Sequence, residues 1–295
     1  MLDVRRLRLL RELAHRQTIA AVAEAMSYTP SAVSQQLSAL EREAGVPLLE
    51  RTGRRVTLTP AAQTLVEHTE TILATLERAA ADLTIAGAQL TGTLRIGAFP
   101  TAVPTILAPA LITLSGDHPG LELVVTQLDP ATAPAALRAR SVDIALVQEY
   151  DHVPVAPDPA LDTDPLLAET IYLAALTDDP LSDHRTSPWI ASTPGTLCHT
   201  MTIRVCEAAG FTPRIRHHVD DFSTVLALVA AGRGVSLVPE LGVGTPPAGV
   251  VLAPLATRRH TRLAYRSGTR DHRAVSAARA ALHDCAATYF PQALP

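Results

Sequence analysis

The chain has 295 residues, enough for about two or three domains with separate cores, and its 25 basic and 29 acidic residues leave a formal net charge of −4. That total does not suggest nucleic acid, but the distribution is uneven: residues 1–60 hold nine Arg against six acids, and the remainder holds 16 Arg against 23. A mildly basic head on an acidic body fits a DNA-contacting module joined to something else. Three cysteines, an odd number, make no disulfide framework. The start, MLDVRRLRLLREL, alternates charge with leucine and lacks the apolar core of a signal peptide. No apolar run reaches membrane-spanning length, so the expectation is a soluble, cytoplasmic protein with no membrane partner.

Residues 3–16 read as a first helix, with Leu7, Leu10, Leu13 and Ala14 inward and Arg5, Arg8, Arg11 and Arg16 in water. Thr18 is placed to cap a short helix from Ile19 to Met26, and Ser27-Tyr28 is a tight connection. Thr29 to Arg42 then forms a helix with two faces. Thr29 can cap it, and Pro30 suits the first helical position, where its missing N–H would be unpaired anyway. Val33, Leu37, Leu40 and Ala44 make one apolar stripe, while Ser31, Ser34, Gln35, Ser38 and Arg42 lie opposite. Gly45 ends the helix and Val46-Pro47 blocks its continuation. A small polar face without a central carboxylate suits a base-pair groove, where serine reaches phosphates and Gln35 can pair with adenine. Two helices joined by about three residues form a helix-turn-helix pattern. Two short strands, 48–51 and 56–59, follow around the turn Thr52-Gly53-Arg54-Arg55. This hairpin carries Arg51, Arg54 and Arg55 towards phosphates or the minor groove.

On these residues the segment 2–62 resembles the N-terminal domain of LysR-type transcriptional regulators. The family's Ser-x-x-Ile/Leu-x-x-Leu-Glu core reads here Ser34-Gln35-Gln36-Leu37-Ser38-Ala39-Leu40-Glu41. Its wing entry reads Gly45-Val46-Pro47-Leu48-Leu49-Glu50-Arg51. Pro30 stands where many members have glutamine, and Leu49 replaces a common Phe. The resemblance implies DNA contact by Thr18, Thr29, Pro30, Ser31, Ser34, Gln35, Ser38, Arg51, Arg54 and Arg55.

Pro60 opens a helix uninterrupted by Gly or Pro to Ile85, with Leu65, Thr69, Ile72, Leu76, Ala79 or Ala80, and Leu83 at heptad spacing. At 1.5 Å per residue it is roughly 40 Å long. The resemblance implies a linker helix that pairs antiparallel between subunits, giving a homodimer or homotetramer. Gly87 and Gly92 flank a hinge. Beyond it strands are expected at 93–98, 121–127 and 142–147, alternating with helices at 105–114 and from Asp129-Pro130 to about Arg140. That alternation argues for a doubly wound domain with parallel strands. Residues 150–165, rich in Pro and Asp, read as a loop into a second lobe. There an extended segment 166–176 and strands at 189–191, 214–219 and 235–238 accompany helices at 197–209 and 222–231. A strand 261–266 returns to the first lobe, and a helix from Asp271 to Thr288 covers it.

The segment HHVDDFSTVLALVAAGRGVSLVPELG resembles the effector-binding domain of the same family, and through it the periplasmic solute-binding proteins. The fold class expected is therefore α/β multidomain: a winged helix-turn-helix at 1–59, a linker helix and hinge at 60–91, and a two-lobed effector-binding domain at 92–295. Lobe I comprises about 92–165 and 262–295, and lobe II about 166–261.

Ligands of such α/β folds sit at the carboxyl ends of strands and at helix N-termini. The resemblance places effector contacts at Phe99, Pro100, Thr101, Ala102, Gln148, Ser192, Thr193, Asp221 and Phe222, with Arg204 as the nearest basic side chain. Thr101, Thr193 and Asp221 also read as plain helix caps. Cys198 and Cys206 open an alternative, a thiol switch like that of peroxide-sensing members, although the spacing is not the one expected for them. Enzyme signatures are missing. Gly234-Val235-Ser236-Leu237-Val238 lacks the second glycine of a nucleophile elbow. No Cys-x-x-Cys or His-Glu-x-x-His occurs, and His217-His218 point to opposite faces of a strand. The expectation is a non-enzymatic regulator without cofactor or metal. Its partners are an interrupted palindromic operator in double-stranded DNA, a small-molecule effector, further copies of itself and, through the family, RNA polymerase.

Overall fold

The computed structural model describes residues 1–52, 55–84 and 90–289. The chain divides into two compact units, Met1–Ala86 with Arg266–His272, and Gly87–Tyr265 with Arg273–Pro295.

In the first unit, α1 (Val4–Arg16), α2 (Ile19–Met26) and α3 (Pro30–Ala44) are followed by a hairpin of β1 (Leu49–Thr52) and β2 (Arg55–Leu58), then α4 (Pro60–Thr84). Local chemistry fixes each boundary. The side chains of Asp3, Thr18 and Thr29 accept the backbone N–H of Arg5, Ala21 and Ala32, satisfying helix-start donors. Gln17, Ser27 and Gly45 end the three helices in the left-handed region. Leu7, Leu10, Leu13, Val22, Val33, Leu37, Leu40 and Leu48 close the core, so the apolar stripe predicted for α3 is the face that packs. Glu41 Oε1 accepts the N–H groups of Leu48 and Leu49 at 2.9 and 3.0 Å, tying α3 to the start of the hairpin. Thr59 accepts from Ala62 N and starts α4.

One expectation for α1 fails. Arg11 is buried rather than wet, and Glu12 is fully buried. Glu12 accepts from Arg11 at 2.8 Å and from Arg16 at 3.0 Å, and Arg11 lies 3.8 Å from Glu70 of α4. Period alone assigns charged residues to water; here ion pairing to α4 keeps two of them inside. On α4, Ile72 and Leu76 of the predicted seam stay 37% and 44% exposed, whereas Thr69 is buried. Ile85 and Gly87 lie outside the described residues, as does the side chain of Leu83.

The second unit begins with β3 (Gly92–Ala98), a π-helical turn (Val103–Leu107), α5 (Ala108–Asp117), β4 (Leu121–Gln127), α6 (Ala133–Arg138) and β5 (Ile144–Tyr150). It continues through β6 (Leu161–Ala175), a 3-10 turn (Leu181–Arg185), β7 (Pro188–Ala191), α7 (Leu197–Ala208), β8 (Arg214–His218) and α8 (Phe222–Ala230). β9 (Ser236–Pro239), α9 (Glu240–Val243), β10 (Val251–Arg266) and α10 (Arg273–Tyr289) complete it. Six strands form one sheet in the order β4-β3-β5-β10-β6-β9, and β7 and β8 form a second. β3 runs parallel to β4 and β5, but β10 is antiparallel to β5 and β9 to β6, so the sheet is mixed rather than parallel throughout.

Two cores result. One gathers Ile96, Ile106, Leu114, Ile144, Leu263 and Tyr265 with Val275 and Leu282 of α10. The other gathers Ile171, Leu173, Met201, Val205, Leu237 and the fully buried Trp189, whose Nε1 donates to His184 O of the 3-10 turn at 3.0 Å. The long strands β6 and β10 run through both regions and start earlier than expected: β6 at 161 rather than 166, β10 at 251 rather than 261. Residues 161–165, rich in Asp, read as loop; they form strand although none of them is buried. The helix expected from Asp129 begins only at Ala133, because Asp129 Oδ1 instead accepts Ala131 N at 2.8 Å in a turn.

Candidate DNA-contacting face and effector cleft

In the first unit, α3 presents Ser31, Gln35, Ser38 and Arg42 to solvent, with Ser34 half-buried beside them. Arg6, Gln35, Gln36, Ser38 and Arg42 border a shallow concavity along this face. Arg6 donates to Gln36 at 2.9 Å and pairs with Glu43, so it is anchored there. Ser34 Oγ donates to the carbonyl of Pro30 at 3.0 Å, which commits its hydrogen, and Thr29 and Ser31 share a hydroxyl contact of 3.0 Å. Thr18, Thr29 and Pro30 form the exposed starts of α2 and α3. Arg54 lies outside the described residues. For Arg51 and Arg55 only the backbone is described: Arg51 pairs with Val56, and Arg55 with Thr52.

The second unit contains a cavity of about 240 Å³ where the carboxyl ends of β3, β4, β5, β7 and β8 converge, the place where open α/β sheets bind ligands. Its floor comes from strand register. Tyr150 of β5 faces Arg259 of β10, and Gln148 faces Thr261. Residues directly opposite in an antiparallel pair share a face, so Gln148, Tyr150 and Arg259 project together. Arg259 is 1% exposed. It donates through Nε to Glu169 of β6 at 2.7 Å, through Nη1 to Gln148 at 3.2 Å and through Nη2 to Thr101 at 3.0 Å. The guanidinium lies 4.9 Å from the centre of the Phe99 ring. Burial alone would lower its pKa, but the charge of Glu169 holds it above the ordinary arginine value. Asp220 accepts the N–H and hydroxyl of Thr193 at 2.8 and 2.7 Å, fixing its carboxylate at the rim. Phe222 closes another side. It is held against Gly242, where a Cβ would lie 2.8 Å from the ring, so only glycine allows this approach.

The family profile of the LysR substrate binding domain matches residues 87–287, and that of the lysR-family bacterial regulatory helix-turn-helix protein matches residues 4–63. The chain belongs to the LysR family of transcriptional regulators. This LysR-family protein is 30% identical over 252 residues to the transcriptional dual regulator GltC of Bacillus subtilis, covering 81% of each chain. It is 28% identical over 286 residues to the transcriptional dual regulator OxyR of Escherichia coli, covering 91% of this chain and 90% of that one. A solved OxyR mutant of Corynebacterium glutamicum matches with a TM-score of 0.58 at 25% identity, covering 98% of this chain and 95% of the other. The family consists of DNA-binding regulators, not enzymes. Among the described residues no helix is long and apolar enough to cross a membrane.

Of the effector contacts expected in this LysR-family chain, Phe99, Pro100, Thr101, Gln148, Ser192 and Phe222 line the cavity. Four do not. Ala102 is fully buried behind it. Thr193 is held by Asp220 and supports the rim. Asp221 accepts from Thr224 N and caps α8, its acidity raised by hydroxyl bonds from Ser223 and Thr224. Arg204 is exposed on the far side of a helix and pairs with Glu207 at 3.1 Å. The basic group at the cavity is instead Arg259, which sequence reasoning missed together with Tyr150 and Asp220; Cys198, expected only as half of a thiol switch, also lines it.

The two thiols separate. Cys198, in the first turn of α7, lines the cavity; burial pushes its thiol up, against smaller opposing effects from Ser192, Tyr150 and Arg259. Cys206 lies in the core beside Trp189 and Met201, and burial pushes its thiol up to about 12. Eight residues along a helix amount to about 12 Å, beyond the roughly 7 Å between Cα atoms that a disulfide spans.

Proposed function

We propose that this regulator binds an interrupted palindromic operator as a homodimer or homotetramer, and that a small molecule held in the cleft of the second unit changes its affinity for that operator. The reading assigns DNA binding to residues 1–59, dimerisation to the linker 60–91 and effector binding to 92–295. α3 enters the major groove with Ser31, Ser34, Gln35 and Ser38. Thr18, Thr29 and Pro30 approach the backbone, and Arg51, Arg54 and Arg55 serve the adjacent phosphates or minor groove. Ile72 and Leu76 supply the exposed apolar seam that a partner helix covers. The location expected for such a regulator is the cytoplasm, with RNA polymerase as a further partner.

One observation carries the effector reading. A cavity at the converging strand ends is floored by an arginine that is charged, withdrawn from bulk water and already held by three partners. Such a group is costly to maintain in a core and suits recognition of a polar ligand. The test is gel-shift binding of the full-length protein to the DNA upstream of its own reading frame, with and without candidate effectors. Binding that resists excess nonspecific DNA and shifts in affinity with one compound supports the proposal. Operator binding indifferent to every compound removes the effector half.

A second reading, a thiol switch through Cys198 and Cys206, draws on the OxyR likeness and on the place of Cys198 in the cavity. The raised thiol pKa values and the helical separation weigh against it.

A further inference from the structure

We infer that the ligand of the cleft is a small zwitterion, an α-amino acid or close analogue bearing one carboxylate and one ammonium group; this rests on the effector reading above. A guanidinium has five N–H donors. Arg259 uses three of them, on Glu169, Gln148 and Thr101, one from each nitrogen. Two N–H groups, one on each terminal nitrogen, lie beyond those three bonds, shared between the cavity and the Tyr150 hydroxyl, in a side chain that lines the cavity and is shielded from bulk water. Paired N–H donors on a charged group select a carboxylate.

The charge of the cleft argues against a plain carboxylate. Glu169 already neutralises Arg259. The other carboxyl side chains lining the cavity are Asp129 and Asp220, both at its exposed rim, and among the described residues Arg259 is its one basic lining side chain. A simple anion would enter a site already in negative excess and lose its hydration doing so. A ligand that also carries an ammonium group reverses that balance. The carboxylates are ready to receive it. Asp220 is fixed by two bonds from Thr193. Asp129 uses Oδ1 to accept Ala131 N, and Oδ2 has no partner among the described residues. At about 240 Å³ the cavity falls below the roughly 300–1,000 Å³ of drug-sized pockets. Phe99, Leu128 and Phe222 on its walls give a short apolar side chain something to pack against.

The test uses the full-length protein, with thermal shift followed by isothermal titration calorimetry. The probes are the twenty proteinogenic L-amino acids, each with its matched α-keto acid and its decarboxylated amine. The expected result is stabilisation by one amino acid or a narrow group, with the keto acid and amine at least tenfold weaker. Asp129→Asn and Asp220→Asn should weaken the amino acid tenfold or more while leaving or improving keto-acid binding. A keto acid that binds as tightly as its amino acid overturns the zwitterion, as does an amino acid indifferent to both Asn variants. A second panel of sugars, nucleobases and dicarboxylates separates the two levels of the argument. A ligand found only there overturns the zwitterion and leaves the effector reading intact, whereas silence in both panels overturns both.

Discussion

Arg259 and Glu169 form an ion pair with an N–O distance of 2.7 Å, and both side chains are almost wholly withdrawn from solvent. The pair spans β10 and β6, the two strands that run through both cores. Removing one member of such a pair leaves a buried charge uncompensated, a cost of about 3–5 kcal/mol. Glu169→Ala should therefore lower unfolding stability by that amount in urea titration. The double replacement Glu169→Leu with Arg259→Met should recover most of it, because the geometry is then apolar rather than half-charged. A Glu169→Ala loss below about 1 kcal/mol would mean that the pair is solvated.

Gln35 and Ser34 differ in what they have left to offer DNA. Gln35 is exposed, whereas the hydroxyl hydrogen of Ser34 is committed to Pro30 O at 3.0 Å. Gln35→Ala should cost about 1–3 kcal/mol of specific binding and relax preference at one base position. Ser34→Ala should fall at the lower end of that range. Binding-site selection with both variants decides the matter; unchanged sequence preference for Gln35→Ala takes that residue off the base edges.

Arg54, at the centre of the predicted hairpin turn, is assigned to phosphate contact from the sequence alone. Arg54→Ala should weaken binding to all DNA sequences alike and reduce the slope of log affinity against log salt by about one. Operator titrations at four or five salt concentrations measure that slope, and an unaltered slope removes Arg54 from the phosphates.

The first unit was largely legible because local signals agree: cap residues, apolar period and the glycine after α3 all specify the same boundaries. The cleft was legible only where helix starts mark it. Thr101, Ser192 and Phe222 follow strand ends in sequence, so the topological rule finds them. Arg259 escaped because it sits between Arg258 and His260 and reads as one more charge in a solvated run. Its strand period is the signal that was available: Thr257, Arg259 and Thr261 alternate, and all three are at most 3% exposed. Glu169 offered the complementary sign, a single acid in the apolar stretch LLAETIYLAA. Pairing the two requires β10 to lie beside β6, a long-range adjacency that no local pattern encodes. Arg204 was chosen for nearness in sequence, and its helix turns it outward.

The thiols provide a direct check on the redox alternative. With Cys206 pushed up to about 12, its thiolate fraction at pH 8 is roughly one in ten thousand. Iodoacetamide at pH 8 should leave Cys206 unmodified in the native protein and alkylate it fully in urea, with mass spectrometry of peptides as the readout. Cys198, also raised by burial, should react far more slowly than in the unfolded chain. Operator binding by Cys206→Ser, whose thiol lies in the core away from the cavity, should respond to effector as the parent does; loss of response with folding intact would favour the thiol switch.

Asp151 gives the second unit an acid limb. Its carboxylate accepts from His260 Nε2 at 2.6 Å and from Arg258 N at 2.8 Å. Partial burial alone would raise its pKa, but these bonds outweigh burial and hold it below the ordinary carboxylate value. For an acid whose folded pKa is depressed, the unfolded chain binds the proton first as pH falls. The contribution of Asp151 is therefore fully present above about pH 4, its unfolded value, and disappears as pH drops through the lower folded value. The side chain is 41% exposed, so solvent screening keeps the effect small. Thermal melts between pH 3 and pH 7 should show the parent losing stability towards the acid end, and Asp151→Asn should flatten part of that limb while being less stable than the parent at pH 7. Parallel melting curves for the two proteins across the whole range would show that this carboxylate is not held by His260 and the Arg258 amide in solution.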